Sequence, residues 1–187
     1  MLDSTGHIKL ADFGFAKRLT TTTNSFCGTP DYIAAEIVAS KPYSFPVDWW
    51  SLGVLVFELT SGKTPFRAED SEGIYTNIQV GKVQWVPEVT GPIKDLCEGL
   101  LETEPKKRLG YRGAEEIKKS LWFSDVAWEK IGHRGVNPPV VPLSSTPETL
   151  EMEKLTKGGT TDYRDILGDS LPNDKFTDPY DGAFKGF

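Results

Sequence analysis

Val47-Asp48-Trp49-Trp50-Ser51-Leu52-Gly53-Val54-Leu55-Val56-Phe57-Glu58-Leu59-Thr60-Ser61 is the stretch whose reading decides the fold. Its large apolar residues fall on every face of a helical wheel, and a helix that is apolar all round belongs inside a core. Asp48 stands in the first turn, where a carboxylate complements the helix dipole. Gly62 follows at the position that ends a helix in a left-handed residue. A chain organised around such a helix is expected to be mainly α.

The neighbouring segments extend that reading. Ser71 to Gly81 has helical spacing, with Ile74, Ile78 and Val80 turned inward. Gly91 to Leu101 places Ile93, Leu96, Cys97, Leu100 and Leu101 on one face. Ala114 to Leu121 is a short fourth helix, followed by Trp122-Phe123. Upstream, Gly6 to Ala11 reads as a turn and short strand, with Ile8 and Leu10 on one side. Residues 15–32 are irregular: Thr20 to Ser25 carry hydroxyl and amide side chains that compete with helix for backbone hydrogen bonds. After about Trp128 the composition changes. Asn137-Pro138-Pro139 and Val141-Pro142 favour extended backbone, and residues 144–183 are rich in Ser, Thr, Gly, Pro and Asp.

Length and charge narrow the class. The 187 residues suffice for one domain and a tail, and 38% are hydrophobic. A net charge of −6 argues against nucleic acid or an anionic membrane as the main partner and suits basic substrates. The most apolar run, Trp49 to Leu59, is short of the about 20 residues of a membrane span. Cys27 and Cys97 lie far apart without metal-ligand spacing, which fits a reduced, intracellular setting.

Four motifs then follow in order. They are Asp12-Phe13-Gly14; Cys27-Gly28-Thr29-Pro30-Asp31-Tyr32 running into Ala34-Ala35-Glu36; Asp48-Trp49-Trp50-Ser51-Leu52-Gly53; and Lys107-Arg108-Leu109-Gly110. Together they resemble the large lobe and C-terminal tail of an AGC-group Ser/Thr protein kinase. Gly14-Phe15-Ala16-Lys17, Gly73-Ile74-Tyr75 and the final Phe184-Lys185-Gly186-Phe187 are similar to the cyclic-AMP-dependent type, with the cyclic-GMP-dependent type as nearest competitor.

The resemblance implies the helical large lobe of the α+β kinase fold over residues 1–125. It adds a short β-hairpin remnant at the N-terminus and an extended AGC tail over 126–187. It implies ATP and Mg²⁺ as cofactors and γ-phosphoryl transfer to Ser or Thr in basic sequences. Regulatory subunits or pseudosubstrate inhibitors are the implied partners, in a cytoplasmic and nuclear setting. A non-catalytic interaction module binding those same partners is the alternative.

Residue by residue, Asp12 would chelate Mg²⁺ beside the ATP phosphates, and Tyr163 would lie against the adenine. Ser25 would carry the activation phosphate with Lys17 as one cationic partner; Thr22 and Thr23 are alternative acceptors. Phe26, Gly28, Thr29, Pro30 and Ile33, with Cys27, would receive the residue after the phosphoacceptor. Glu58 would read an arginine two residues before it, and Asp31 would act further upstream. Glu36 and Arg108 would form a buried ion pair, although Ala35 stands where the family usually has proline. Asp48 would bond the catalytic-loop backbone or cap its own helix. Phe184 and Phe187 would dock on the small lobe.

The chain has no G-x-G-x-x-G loop, no strand lysine with its helix glutamate and no H-R-D…N loop. Catalytic residues proper are therefore expected outside it. Met1-Leu2-Asp3 falls inside a strand that follows the catalytic loop in the family. The expectation is a partial kinase that is silent on its own.

Overall fold

The computed structural model describes residues 1–142, and within them the chain is mostly helical. The helices are α1 (Ala35–Val38), α2 (Pro46–Ser61), α3 (Ser71–Gln79), α4 (Pro92–Leu100), α5 (Ala114–Lys118) and α6 (Trp128–Gly132). Single 3₁₀ turns span Pro30–Tyr32 and Leu121–Phe123. The described residues form two compact units: Ala11–Val136, and Met1–Leu10 with residues 137–142. In the smaller unit the expected strand reduces to one antiparallel bridge, Leu2 to Ile8. Ile8 and Leu10 are both exposed there.

Helix α2 is the axis of the larger unit. Pro46 opens it with a backbone angle already suited to a first helical residue. Gly62 closes it at φ 69°, returning its N–H to the Glu58 carbonyl at 2.7 Å. Trp50, Val54 and Phe57, spaced four and three residues apart, have no exposed surface. Gly53 lies on the same buried side. A Cβ there would stand 2.8 Å from the Cβ of Leu100, so glycine is what lets α4 approach this closely.

The expectation that α2 is buried all round is corrected. Leu55 and Leu59 are 41% and 77% exposed. The helix buries the stripe that meets Phe66 and α4, while Leu55 and Leu59 on its other side stay open to solvent.

Helix α3 starts at Asp70, whose carboxylate accepts from the Gly73 N–H at 2.8 Å. Ile78 is fully buried and Ile74 packs against the core. Val80 instead points outward, because the helix stops at Gln79 and the chain turns through Gly81 at φ 64°. Helix α4 buries Ile93, Leu96, Cys97 and Leu100 as the spacing predicts, with Leu101 just beyond. Helix α5 ends three residues short of its expected limit. Ser120 then accepts from the Trp122 N–H and starts the second 3₁₀ turn. No periodicity announces α6, which has no buried residue.

Glu36 and Arg108 meet in the interior. Arg108 Nη1 donates to Glu36 Oε1 at 2.8 Å, and Nη2 to Oε2 at 2.7 Å. The same guanidinium donates from Nη1 to the Pro46 carbonyl and from Nε to the Glu102 carbonyl, each at 2.9 Å. Its face lies 5.1 Å from the Trp50 ring, which itself stacks on Phe66 at 5.1 Å. One side chain thus ties α1, the start of α2 and the turn after α4. Ala35 is the first residue of α1, where proline would also fit. Alanine there loses pre-organisation but no contact.

Removing one partner strands the other charge away from water, which typically costs about 3–5 kcal/mol. Glu36→Ala is expected to lower unfolding stability by that amount, measured by urea titration. The exposed pair Lys107–Glu104 serves as a control, and its loss should leave the urea midpoint essentially unchanged.

Candidate functional site

A cleft of about 1110 Å³ opens between the segment 12–34 and the start of α2. Asp12, Lys17, Ser25, Thr29, Ile33 and Asp48 are among the residues that line it. Sequence positions 36 apart, Asp12 and Asp48, therefore face one space.

Asp12 occupies the left-handed region at φ 62°, which aspartate tolerates better than most residues. Its Oδ1 accepts from the Gly14 N–H at 3.3 Å, a local turn closed by its own side chain. Its second oxygen has no partner among the described residues. Mg²⁺ commonly takes one or two carboxylates and completes its shell with phosphate oxygens and water. A single open carboxylate fits that contribution. No group of three or more acidic, His or Cys side chains that could hold a metal ion forms among the described residues.

Lys17 reaches Thr23 rather than Ser25. Its Nζ donates to Thr23 Oγ1 at 2.8 Å, and Thr23 Oγ1 lies 3.5 Å from Ser25 Oγ. Thr23 also bridges to Tyr43 through two backbone bonds of 2.9 and 3.0 Å. The Tyr43 hydroxyl then donates to the Ser25 carbonyl at 2.7 Å. Burial pushes the Tyr43 phenol above its usual pKa, so it stays a donor at neutral pH. The anchoring by Thr23 and Tyr43 is absent from the sequence reading. Nothing in a lone Lys-Pro-Tyr segment announces it.

The residues expected to receive the position after the phosphoacceptor divide. Gly28, Thr29 and Ile33 line the cleft with Cys27. Gly28 sits at φ 118°, a conformation that requires glycine. Phe26 is 57% exposed and packs edge-on against Tyr75, with ring centroids 5.9 Å apart. Pro30 and Asp31 belong to the 3₁₀ turn beside the cleft.

Two carboxylates flank that turn. The Tyr32 hydroxyl donates to Glu58 Oε2, and Thr64 Oγ1 donates to Asp31 Oδ1 at 2.7 Å. Burial and the Glu58 carboxylate raise the Tyr32 pKa to about 12. Glu58 is therefore held by a partner, whereas a glutamate near a helix end is more often solvated. The two cysteines are unpaired; burial, with Glu98 nearby, raises the Cys97 thiol to about 11. Cys97 is thus a packing residue with little thiolate at neutral pH.

Asp48 does not cap α2: Phe45 stands at the cap, and no side chain closes that end. The Asp48 carboxylate has no hydrogen bond among the described residues. Water reaches it from the cleft, but the wall behind it displaces bulk solvent. That desolvation raises its pKa. Tyr163, Phe184 and Phe187 lie outside the described residues.

Comparison with known proteins identifies the family. The protein kinase domain model matches residues 1–123. The chain belongs to the protein kinase family. It is 45% identical over 174 residues to a mouse cAMP-dependent protein kinase catalytic subunit, PRKX, covering 89% of this chain and 49% of the relative. It is 37% identical over 195 residues to the Dictyostelium discoideum cAMP-dependent protein kinase catalytic subunit, covering all of this chain and 28% of that one. Cyclic-AMP-dependent protein kinase type 3 of Saccharomyces cerevisiae is 42% identical over 144 residues, 76% of this chain and 36% of the relative. The chain thus spans a quarter to a half of the length of the curated relatives it matches. Among the described residues no helix is long and apolar enough to cross a membrane.

The Asp48 carboxyl supplies a prediction with a definite sign. Its folded pKa lies above the ordinary 3.8, so the folded state holds the proton more tightly. Stability therefore falls as pH rises through the carboxyl range, and the charged form is the costly one at neutral pH. Asp48→Asn is expected to melt at a higher temperature than the parent at neutral pH. The gain should vanish below about pH 4, where the carboxyl is protonated in both states.

Proposed function

We propose that this chain is the substrate-binding part of a Ser/Thr kinase of the cyclic-AMP-dependent type. The whole enzyme would move the ATP γ-phosphoryl to Ser or Thr in basic sequences. The observation that carries the reading is the shared cleft of Asp12, Ser25 and Thr29, with the Asp31 and Glu58 carboxylates beside it. Asp12 would hold Mg²⁺, which when bound neutralises charge on the phosphates. Glu58 and Asp31 would draw in guanidinium groups of the peptide by charge-assisted hydrogen bonds.

Ser25 is the proposed phosphoacceptor of the activation segment. A phosphate there would add about −1.5 to −2 charges next to the Lys17–Thr23 contact. Lys17 would then exchange a hydroxyl partner for a dianion. In this reading residues 126–187 act as the AGC tail, with Tyr163 towards adenine and Phe184 and Phe187 on the small lobe. Regulatory subunits or pseudosubstrate inhibitors would occupy the peptide site, in a cytoplasmic and nuclear setting.

A chimera tests the reading. Residues 1–142 replace the matching stretch of the mouse relative, and the purified product receives ATP, Mg²⁺ and an arginine-containing serine peptide. Phosphopeptide is expected by mass spectrometry, and an Asp12→Ala chimera should form at least about 100-fold less. The 187-residue chain alone should form none. A folded chimera without activity would sink the proposal.

A further inference from the structure

We propose that Thr64 is a positioning residue, whose hydroxyl orients the Asp31 carboxylate for a basic side chain of a bound peptide. The inference rests on the reading just given and adds the residue that sets one of its two acidic contacts.

Asp31 and Tyr32 are neighbours on a 3₁₀ turn of three residues. Such a turn has few backbone hydrogen bonds of its own, so side chains must hold it. Both residues are tied to the segment that ends α2. Tyr32 donates to Glu58, and Thr64 donates to Asp31 at 2.7 Å across 33 residues of sequence. Each contact uses one carboxylate oxygen. The second oxygen of Asp31 and of Glu58 has no hydrogen bond or ion pair among the described residues. Both charges act on the same Tyr32 phenol, which makes this a local concentration of negative field. A carboxylate pinned through one oxygen no longer turns freely about its terminal bond. The other oxygen remains for an incoming donor, and less rotamer freedom is lost when that donor binds.

Thr64 is itself held in place. Arg67 Nη1 donates to its carbonyl at 3.1 Å. The Ser61 hydroxyl donates to the Lys63 carbonyl at 3.0 Å and accepts from the Lys63 N–H at 3.2 Å, which fixes the turn leading into it. Buried Pro65 follows, and a proline disfavours the helical region for the residue before it. A flexible serine or lysine at an open loop tip would lack this support. The chemistry of the expected ligand is a guanidinium or ammonium on an extended peptide, since one bound donor and one open oxygen suit a single cationic group.

The test uses the 187-residue chain and two fluorescent serine peptides that differ only at an upstream arginine, present in one and alanine in the other. Thr64→Val keeps the shape and removes the donor. Its affinity for the arginine peptide should fall about fivefold, with affinity for the alanine peptide unchanged. Thr64→Ser should restore tight binding. On an Asp31→Asn background Thr64→Val should change nothing further. Melting temperatures of the variants verify that each is folded. Equal weakening towards both peptides would make Thr64 a structural staple and overturn the inference, as would undiminished binding by Thr64→Val. A parent chain that does not prefer the arginine peptide would instead overturn the substrate reading, and this inference with it.

Discussion

The buried bond between Glu36 and Arg108 is the constraint on which the rest depends. Two charges removed from water carry a desolvation cost that their attraction offsets only with good geometry and further hydrogen bonds. Both conditions are met here. The contact uses two parallel bonds, and two backbone carbonyls accept from the same guanidinium. The Trp50 ring covers its face, and Phe66 covers the ring. Arg108 is therefore fully buried without an idle charge. The indole N–H of Trp50 has no partner, so that contact is made at a polar cost elsewhere in the core.

This bond also decides where the candidate site residues stand. Glu36 lies on α1, two residues after Ala34, which lines the cleft with Ile33. Pulling α1 against the start of α2 sets the distance between the loop of residues 12–32 and Asp48. Beyond that point the loop is held by side chains. Lys17, Thr23 and Tyr43 fasten its middle, and Thr64 and Glu58 fasten its final turn. A segment without regular structure thus gains a defined position from contacts with Tyr43, Glu58 and Thr64, residues 18 to 33 places further on.

Much of the helical frame was legible. The spacing of Ile93, Leu96, Cys97 and Leu100 predicts one buried face of α4, and the glycine at 62 predicts the end of α2. The misses have physical causes. Leu55 and Leu59 read as core because the wheel of α2 is apolar all round, but burial requires a neighbour on each side. Val80 has the right spacing for α3, yet the helix ends one residue earlier and the chain turns at Gly81. The pairing of Lys17 with Thr23, and of Asp31 with Thr64, carries no periodic signal at all.

What the sequence by itself determined is the family and the side-chain types at the candidate site. Four motifs in order, with Asp12, Ser25, Asp31 and Glu58 inside or beside them, mark which side chains carry charge and which carry a hydroxyl. Those are properties of residue type, and they survive any arrangement of the chain. The tertiary structure alone decided which of them meet. It placed Asp12 and Asp48 on one cleft, sent Phe26 to Tyr75, and gave Asp31 its partner in Thr64. The physical reason is range. A hydrogen bond acts over about 3 Å, and only folding around the Glu36–Arg108 bond brings residues so far apart in sequence within that reach.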